Sequence, residues 1–188
     1  MKMAKKTYNE KLNSSGNLPK IEDLSDKPES VKRMGGAKML IAAPLQYNEI
    51  MAQIPQGKVI TVDRVRAHLA AQAGADVTCP LTAGIFTNIC AHASEERPKD
   101  KIPWWRTLKA KGELNEKYPD GQKILLEAEG HAVVQKGKRW FVDVTAARLE
   151  AIIHDFVMLN ALDRTNACRA AMDLSVAWIN RKNQMVHS

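Results

Sequence analysis

The chain has 188 residues, 45% of them apolar and 26% charged, and its 28 Lys plus Arg against 21 Asp plus Glu leave a net charge of +7. That composition can bury a core, and it excludes a wholly disordered chain, a collagen and a disulfide-stapled miniprotein. No apolar run reaches 18 residues, so no transmembrane helix is expected, and the basic start MKMAKKTYNEKLNSSGN lacks the apolar centre of a secretory signal, so a cytoplasmic protein without a membrane partner is expected.

Residues 1–36 are polar and carry scattered charge, which predicts a flexible basic arm. A domain over 37–145 is expected to follow. Residues 37–43 suit a short strand. Pro44 opens a helix to about Gln53, with Leu45, Ile50 and Met51 on its apolar side. Residues 54–57 (IPQG) form a turn and 58–60 are briefly extended. Thr61 is a candidate N-cap for a helix from Val62 to about Ala73 that buries Val62, Val65 and Leu69 and stops at Gly74.

Pro80 starts a third helix that runs to about Glu96. Leu81, Ile85, Ile89 and either His92 or Ala93 make its apolar stripe. Gly84 inside that helix costs about 1 kcal/mol relative to alanine, which suggests a close approach by another helix or by DNA. Residues 97–121 are loop-like. A helix over 122–129 ends at Gly130, and residues 131–144 predict a β-hairpin about Lys136, Gly137 and Lys138. Residues 146–188 predict a helical extension that packs on the same chain or dimerises. The fold class expected is therefore mainly α with a small β-hairpin: a winged helix-turn-helix-like domain plus the C-terminal helical extension.

Charge is uneven along the chain. Residues 97–112 hold six bases (Arg97, Lys99, Lys101, Arg106, Lys109, Lys111) against Asp100 alone. A solvated loop and a phosphate-contacting segment both fit such a run. The three cysteines, Cys79, Cys90 and Cys168, are widely spaced, without a CxxC motif. Free thiols are expected, and no metal and no cofactor, because no Cys or His pair has zinc spacing and no nucleotide-binding glycine motif is present.

Three motifs occur in order: IPQGKVIT at 54–61, IPWWRTL at 102–108 and LLEAEG at 125–130. Over about 44–143 the chain resembles the DNA-binding domain of the O6-alkylguanine-DNA alkyltransferases (methylated-DNA–protein-cysteine methyltransferases). That family has an Ile-Pro-x-Gly-x-Val-x-Thr turn, a Pro-Cys-His-Arg-Val active-site motif and a closing Leu-Leu-x-x-Glu-Gly. Here Trp104 stands at the position of the nucleophilic cysteine and Trp105 at that of the histidine. Arg106 is kept, and Val62 replaces a tyrosine. Glu129 matches the glutamate of the relay and is expected to have no partner. A cysteine-to-tryptophan replacement is the mark of the alkyltransferase-like proteins, which this chain resembles most.

The resemblance implies a non-enzymatic protein. It would bind double-stranded DNA, flip O6-alkylguanine into a pocket without alkyl transfer, and hand the lesion to nucleotide excision repair proteins. A monomer is expected. The implied alkyl-base pocket comprises Val62, Trp104, Trp105 and Arg106, with core packing as the competing role for both indoles. The implied DNA face comprises Leu81 as an apolar wedge, Thr82, Ala83, Gly84, Thr87 and Asn88, with Lys99, Lys101, Lys109 and Lys111 on phosphates. Two other readings stay open: a winged-helix DNA-binding regulator without a lesion pocket, and an enzyme acting through Cys79 or Cys90.

Overall fold

The structure, a computed structural model, describes residues 6–143. The helical extension expected over 146–188, with Cys168, lies outside the described residues. The first elements fall where a mobile arm was expected. Helix α1 (Tyr8–Asn13), strand β1 (Lys20–Asp23) and helix α2 (Pro28–Met34) all lie within 1–36. Thr7 and Glu10 form a reciprocal capping box on α1: Glu10 N donates to Thr7 Oγ1 at 3.1 Å and Thr7 N to Glu10 Oε2 at 2.7 Å. Leu12 and Leu24 are buried. Each buried leucine contributes about 1.5–3 kcal/mol, so this segment is part of the folded unit.

Strand β1 pairs antiparallel with β2 (Lys38–Ile41), Ile21 facing Leu40. Strand β4 (Val77–Thr78) adds to the other edge of β2 in parallel. Asp76 ties the join, its Oδ2 accepting from Ala37 N and Lys38 N at 2.9 and 2.8 Å. A Cβ at Gly36 would come within 2.2 Å of Asp76 Cβ, so only glycine fits there.

Helices α3 (Pro44–Ala52), α4 (Val62–Ala73) and α5 (Pro80–Glu96) follow the expected boundaries closely. Thr61 is the N-cap residue of α4 and Gly74, at φ 63°, its C-cap. In α3, Tyr47, Ile50 and Met51 are buried while Leu45 is exposed. In α4, Val65 and Leu69 are buried and Val62 only half-buried. The expected stripe of α5 faces outward at Leu81 and Ile85, is half-buried at Ile89 and is buried only at Ala93. Ala83, Thr87, Cys90, Ala91, Ala93 and Ser94 are buried, whereas Leu81 is 72% and Ile85 47% exposed. Small side chains let α1 and α3 approach that face closely, and the bulky apolar residues are left outside.

Between α5 and the C-terminal half lie a 3-10 turn at Trp104–Arg106, strand β5 (Thr107–Leu108), which pairs in parallel with β3 (Ile60–Thr61), and a second 3-10 turn at Ala110–Gly112. Helix α6 (Gln122–Ala128) precedes the hairpin β6 (Val133–Lys136) and β7 (Arg139–Val142). Val59, Leu108, Leu126 and Val142 form a buried cluster against which Trp105, Leu114 and Val133 pack. The architecture is mainly α with small sheets, the hairpin among them.

Candidate nucleic-acid interface

The loop that carries the tryptophans is fixed by a buried hub. Glu129, just after α6, accepts from Trp105 Nε1 at 2.9 Å, from Arg106 NH2 at 2.7 Å, from Arg106 Nε at 2.9–3.0 Å and from Gly57 N at 3.2 Å. Arg106 NH1 also donates to Ile54 O, which ties the loop to the 54–57 turn. The expectation that Glu129 lacks a partner is therefore corrected: Trp105 and Arg106 both fill that role. Burial acts to raise the Glu129 pKa, but the donors from Arg106, Trp105 and Gly57 outweigh it and hold the carboxyl below its ordinary value. The Arg106 guanidinium also lies 5.5 Å from the Trp105 ring centroid. Gln122, which the sequence reading missed, donates to Trp105 O at 3.0 Å and to Thr107 O at 3.2 Å, and accepts from Asn115 N at 2.8 Å.

Trp104 is a core residue with 1% exposure. It meets Trp105 and Tyr118 edge-on, at centroid distances of 5.9 and 5.8 Å. Its Nε1 donates to Glu95 Oε1 at 2.7 Å, and Lys101 Nζ reaches Glu95 Oε2 at 2.7 Å. These donors from Lys101 and Trp104 lower the Glu95 pKa.

An open groove of about 800 Å³ runs along the outer face of α5. Its floor and sides include Val62 and Arg66 of α4, Leu81, Gly84, Ile85, Thr87, Asn88 and Ile89 of α5, Lys109, Asn115 and Lys117 of the following loop, and Tyr8 and Lys11 of α1. Leu81, Gly84, Ile85 and Asn88 recur at the spacing of one helical face. No atom lies within 4 Å of a Cβ built on Gly84, so among the described residues no helix packs on that glycine. Asn88 Oδ1 is enclosed and has no hydrogen-bond partner among the described residues.

The expected site residues divide sharply. Val62, Leu81, Gly84, Asn88 and Lys109 line the groove, with Thr87 buried beneath it, whereas Trp104, Trp105 and Arg106 are not in its lining. Ala83 and Thr87 are fully buried, and Thr87 Oγ1 donates to Ala83 O at 2.9 Å, so neither is part of an open DNA face. Thr82 is half-buried and its hydroxyl donates to Cys79 O at 3.3 Å.

Four of the six bases in the run have partners within the protein. Arg97 bonds Ala93 O and Asn48 Oδ1, Lys101 pairs with Glu95, Arg106 with Glu129, and Lys109 with Glu113. Lys99 and Lys111 are exposed but outside the groove lining. Lys101 is anchored at Glu95, about 20 Å along α5 from Leu81 at 1.5 Å per residue, so it does not share the groove's α4 end. Groove residues that sequence reasoning missed include Tyr8, Lys11, Arg66, Ile85, Lys117 and the acidic Asp63 and Glu116. The Thr7-x-x-Glu10 capping signature was the available signal for α1.

Among the described thiols, Cys90 is buried, donates to Pro44 O and has its pKa pushed up by burial to about 12. Cys79 is partly buried at the α5 N-cap. Among the described residues no three His, Cys, Asp or Glu side chains are grouped to hold a metal, and no helix is long and apolar enough to cross a membrane.

No protein-family model matches the chain and no curated protein does. Among solved structures the chain is similar to Schizosaccharomyces pombe Atl1 in complex with damaged DNA containing O6-carboxymethylguanine, with 21% identity and a TM-score of 0.41 over 56% of this chain and 92% of that one. It is also similar to the S. pombe ATL protein in complex with DNA, with 19% identity and a TM-score of 0.39 over the same shares.

Proposed function

We propose that the protein binds double-stranded DNA along the α5 groove and recognises O6-alkylguanine turned out of the helix, without alkyl transfer, in support of DNA repair. The observation that carries this reading is the exposed Leu81, Gly84 and Ile85 ridge beside an open groove. An apolar side chain on such a ridge suits insertion into a base step, and a glycine in the second turn of the helix lets a groove edge come close. Extruding a base costs a few kcal/mol, less where alkylation has weakened its pairing. Trp104 stands where the family it resembles has its nucleophile, and an indole does not accept an alkyl group as a thiolate does. A winged helix-turn-helix reading of α4, α5 and the β6–β7 hairpin supports the same docking. Delivery of the lesion to excision repair proteins rests on the resemblance alone, and a monomeric state and a cytoplasmic location complete the proposal.

A second reading is favoured by one observation. Trp104 is enclosed and Trp105 is held by Glu129, so neither indole lines the groove as a stacking platform. A plain DNA-binding module needs no such platform. A duplex carrying 2-aminopurine next to O6-methylguanine separates the two. Lesion extrusion unstacks the probe and raises its fluorescence on the lesion duplex alone; an unchanged signal on saturation favours the plain module.

A further inference from the structure

We propose that helix α1 is a wall of the DNA groove and that Lys11 sets its ammonium group on a backbone phosphate of the bound duplex. This rests on the DNA-binding reading above and extends it to a segment outside the family resemblance. Helix α1 is clamped on α5: Tyr8 N and Asn9 N donate to the Glu96 carboxylate at 2.9 and 3.0 Å, and Asn9 Nδ2 donates to Ala93 O at 3.0 Å. The Tyr8 ring stacks on His92 of α5 with a centroid distance of 4.5 Å and an interplanar angle of 19°. His92 Nε2 in turn meets Lys117 O at 3.0 Å. One continuous set of contacts therefore ties α1, α5 and the 109–117 loop into the same groove edge.

Charge points to the occupant. Of the groove's cations, Arg66 is paired with Asp63 and Lys109 with Glu113. Lys11 lies 4.4 Å from the Tyr8 ring centroid, and neither it nor Lys117 has a carboxylate ion pair among the described residues. The Glu96 carboxylate nearest α1 is already occupied by three N–H donors. Glu96 lies near Lys11 and Glu116 lines the groove beside Lys117. Neither ammonium group, however, is locked in a close ion pair among the described residues, and two such groups beside an apolar ridge suit a polyanion whose bases meet the ridge and whose phosphates meet the lysines.

The test is equilibrium binding of the full chain to a fluorescent duplex, with O6-methylguanine or guanine at one site, over a series of salt concentrations. Wild type, Lys11→Ala, Lys11→Arg and Lys20→Ala are compared, with thermal unfolding of each. Loss of one phosphate contact makes the log K against log salt slope shallower by about 0.9. The expected result is that shift in Lys11→Ala for both duplexes, recovery in Lys11→Arg, no shift in Lys20→Ala, and an unchanged lesion-to-guanine ratio. An unaltered slope in folded Lys11→Ala overturns the proposal. A shallower slope with equal binding of both wild-type duplexes supports α1 as a wall and instead sinks lesion recognition. A chain that binds neither duplex overturns both.

Discussion

Trp105 Nε1 donates to Glu129 Oε1 at 2.9 Å, and the same carboxylate holds the Arg106 guanidinium. Two neighbours on one loop thus share one acceptor on another element. The Glu129 and Arg106 side chains are only 9% and 13% exposed, so the pair sits largely out of solvent. Trp105, Arg106 and Glu129 together form a structural clamp on the loop.

Replacing Glu129 by glutamine leaves Arg106 buried without its counter-charge, which costs about 3–5 kcal/mol in a site of this kind. The pH dependence follows from the lowered Glu129 pKa. Its stabilisation is fully present above the ordinary carboxyl value of 4.5 and is lost as pH falls through the lower folded value. Urea midpoints measured between neutral and acid pH should therefore converge for wild type and Glu129→Gln at low pH. Parallel curves contradict the clamp.

Trp104→Ala opens a cavity beside Tyr118 and Trp105, and is expected to destabilise by about 3–5 kcal/mol. Chemical denaturation reads this directly. A stable, unchanged Trp104→Ala protein would mean that the indole is not the core residue its 1% exposure indicates.

Leu81→Ala changes a side chain that is 72% exposed, so stability should stay within about 0.5 kcal/mol. Affinity for duplex DNA should fall about tenfold, equivalent to 1.4 kcal/mol. Anisotropy titration checks it. Equal affinity places the DNA elsewhere on the surface.

Two glycines make opposite predictions. Gly36→Ala sets a Cβ against Asp76 Cβ and should cost about 1–3 kcal/mol through forced backbone movement. Gly84→Ala meets open space and should stabilise α5 by about 1 kcal/mol while weakening DNA binding. Thermal unfolding of both variants and titration of Gly84→Ala read the three outcomes; a Gly84→Ala protein that binds DNA as well as wild type removes the close approach.

How far the sequence carried the fold can be followed along α5. Pro80 and the apolar spacing gave its limits, because a proline at N1 and helical periodicity are local signals. Its orientation was misread at Leu81 and Ile85, because periodicity ranks residues by bulk. The packing against α1 and α3 instead selected the small Ala83, Thr87 and Ala91 for the core. The 97–112 charge run misled for a related reason: formal charge does not show that Glu95, Glu113 and Glu129, distant or on other turns, neutralise Lys101, Lys109 and Arg106. The arm was misread because polar composition hid two buried leucines and a capping box. Val62, Leu81, Gly84 and Asn88 were legible on the groove because α4 and α5 carry local signals, whereas Lys109 lies in a loop and was marked only by the charge run. Tyr8, Lys11 and Lys117 enter only through tertiary contacts, which no local pattern encodes.

The most direct test of the account is competition binding of one duplex with a single O6-methylguanine against the same duplex with guanine, followed by the intact mass of the recovered protein. The account predicts at least about tenfold preference for the lesion duplex and no gain of mass. Equal competition by the two duplexes contradicts lesion recognition, and a mass increase of one methyl group contradicts the absence of transfer.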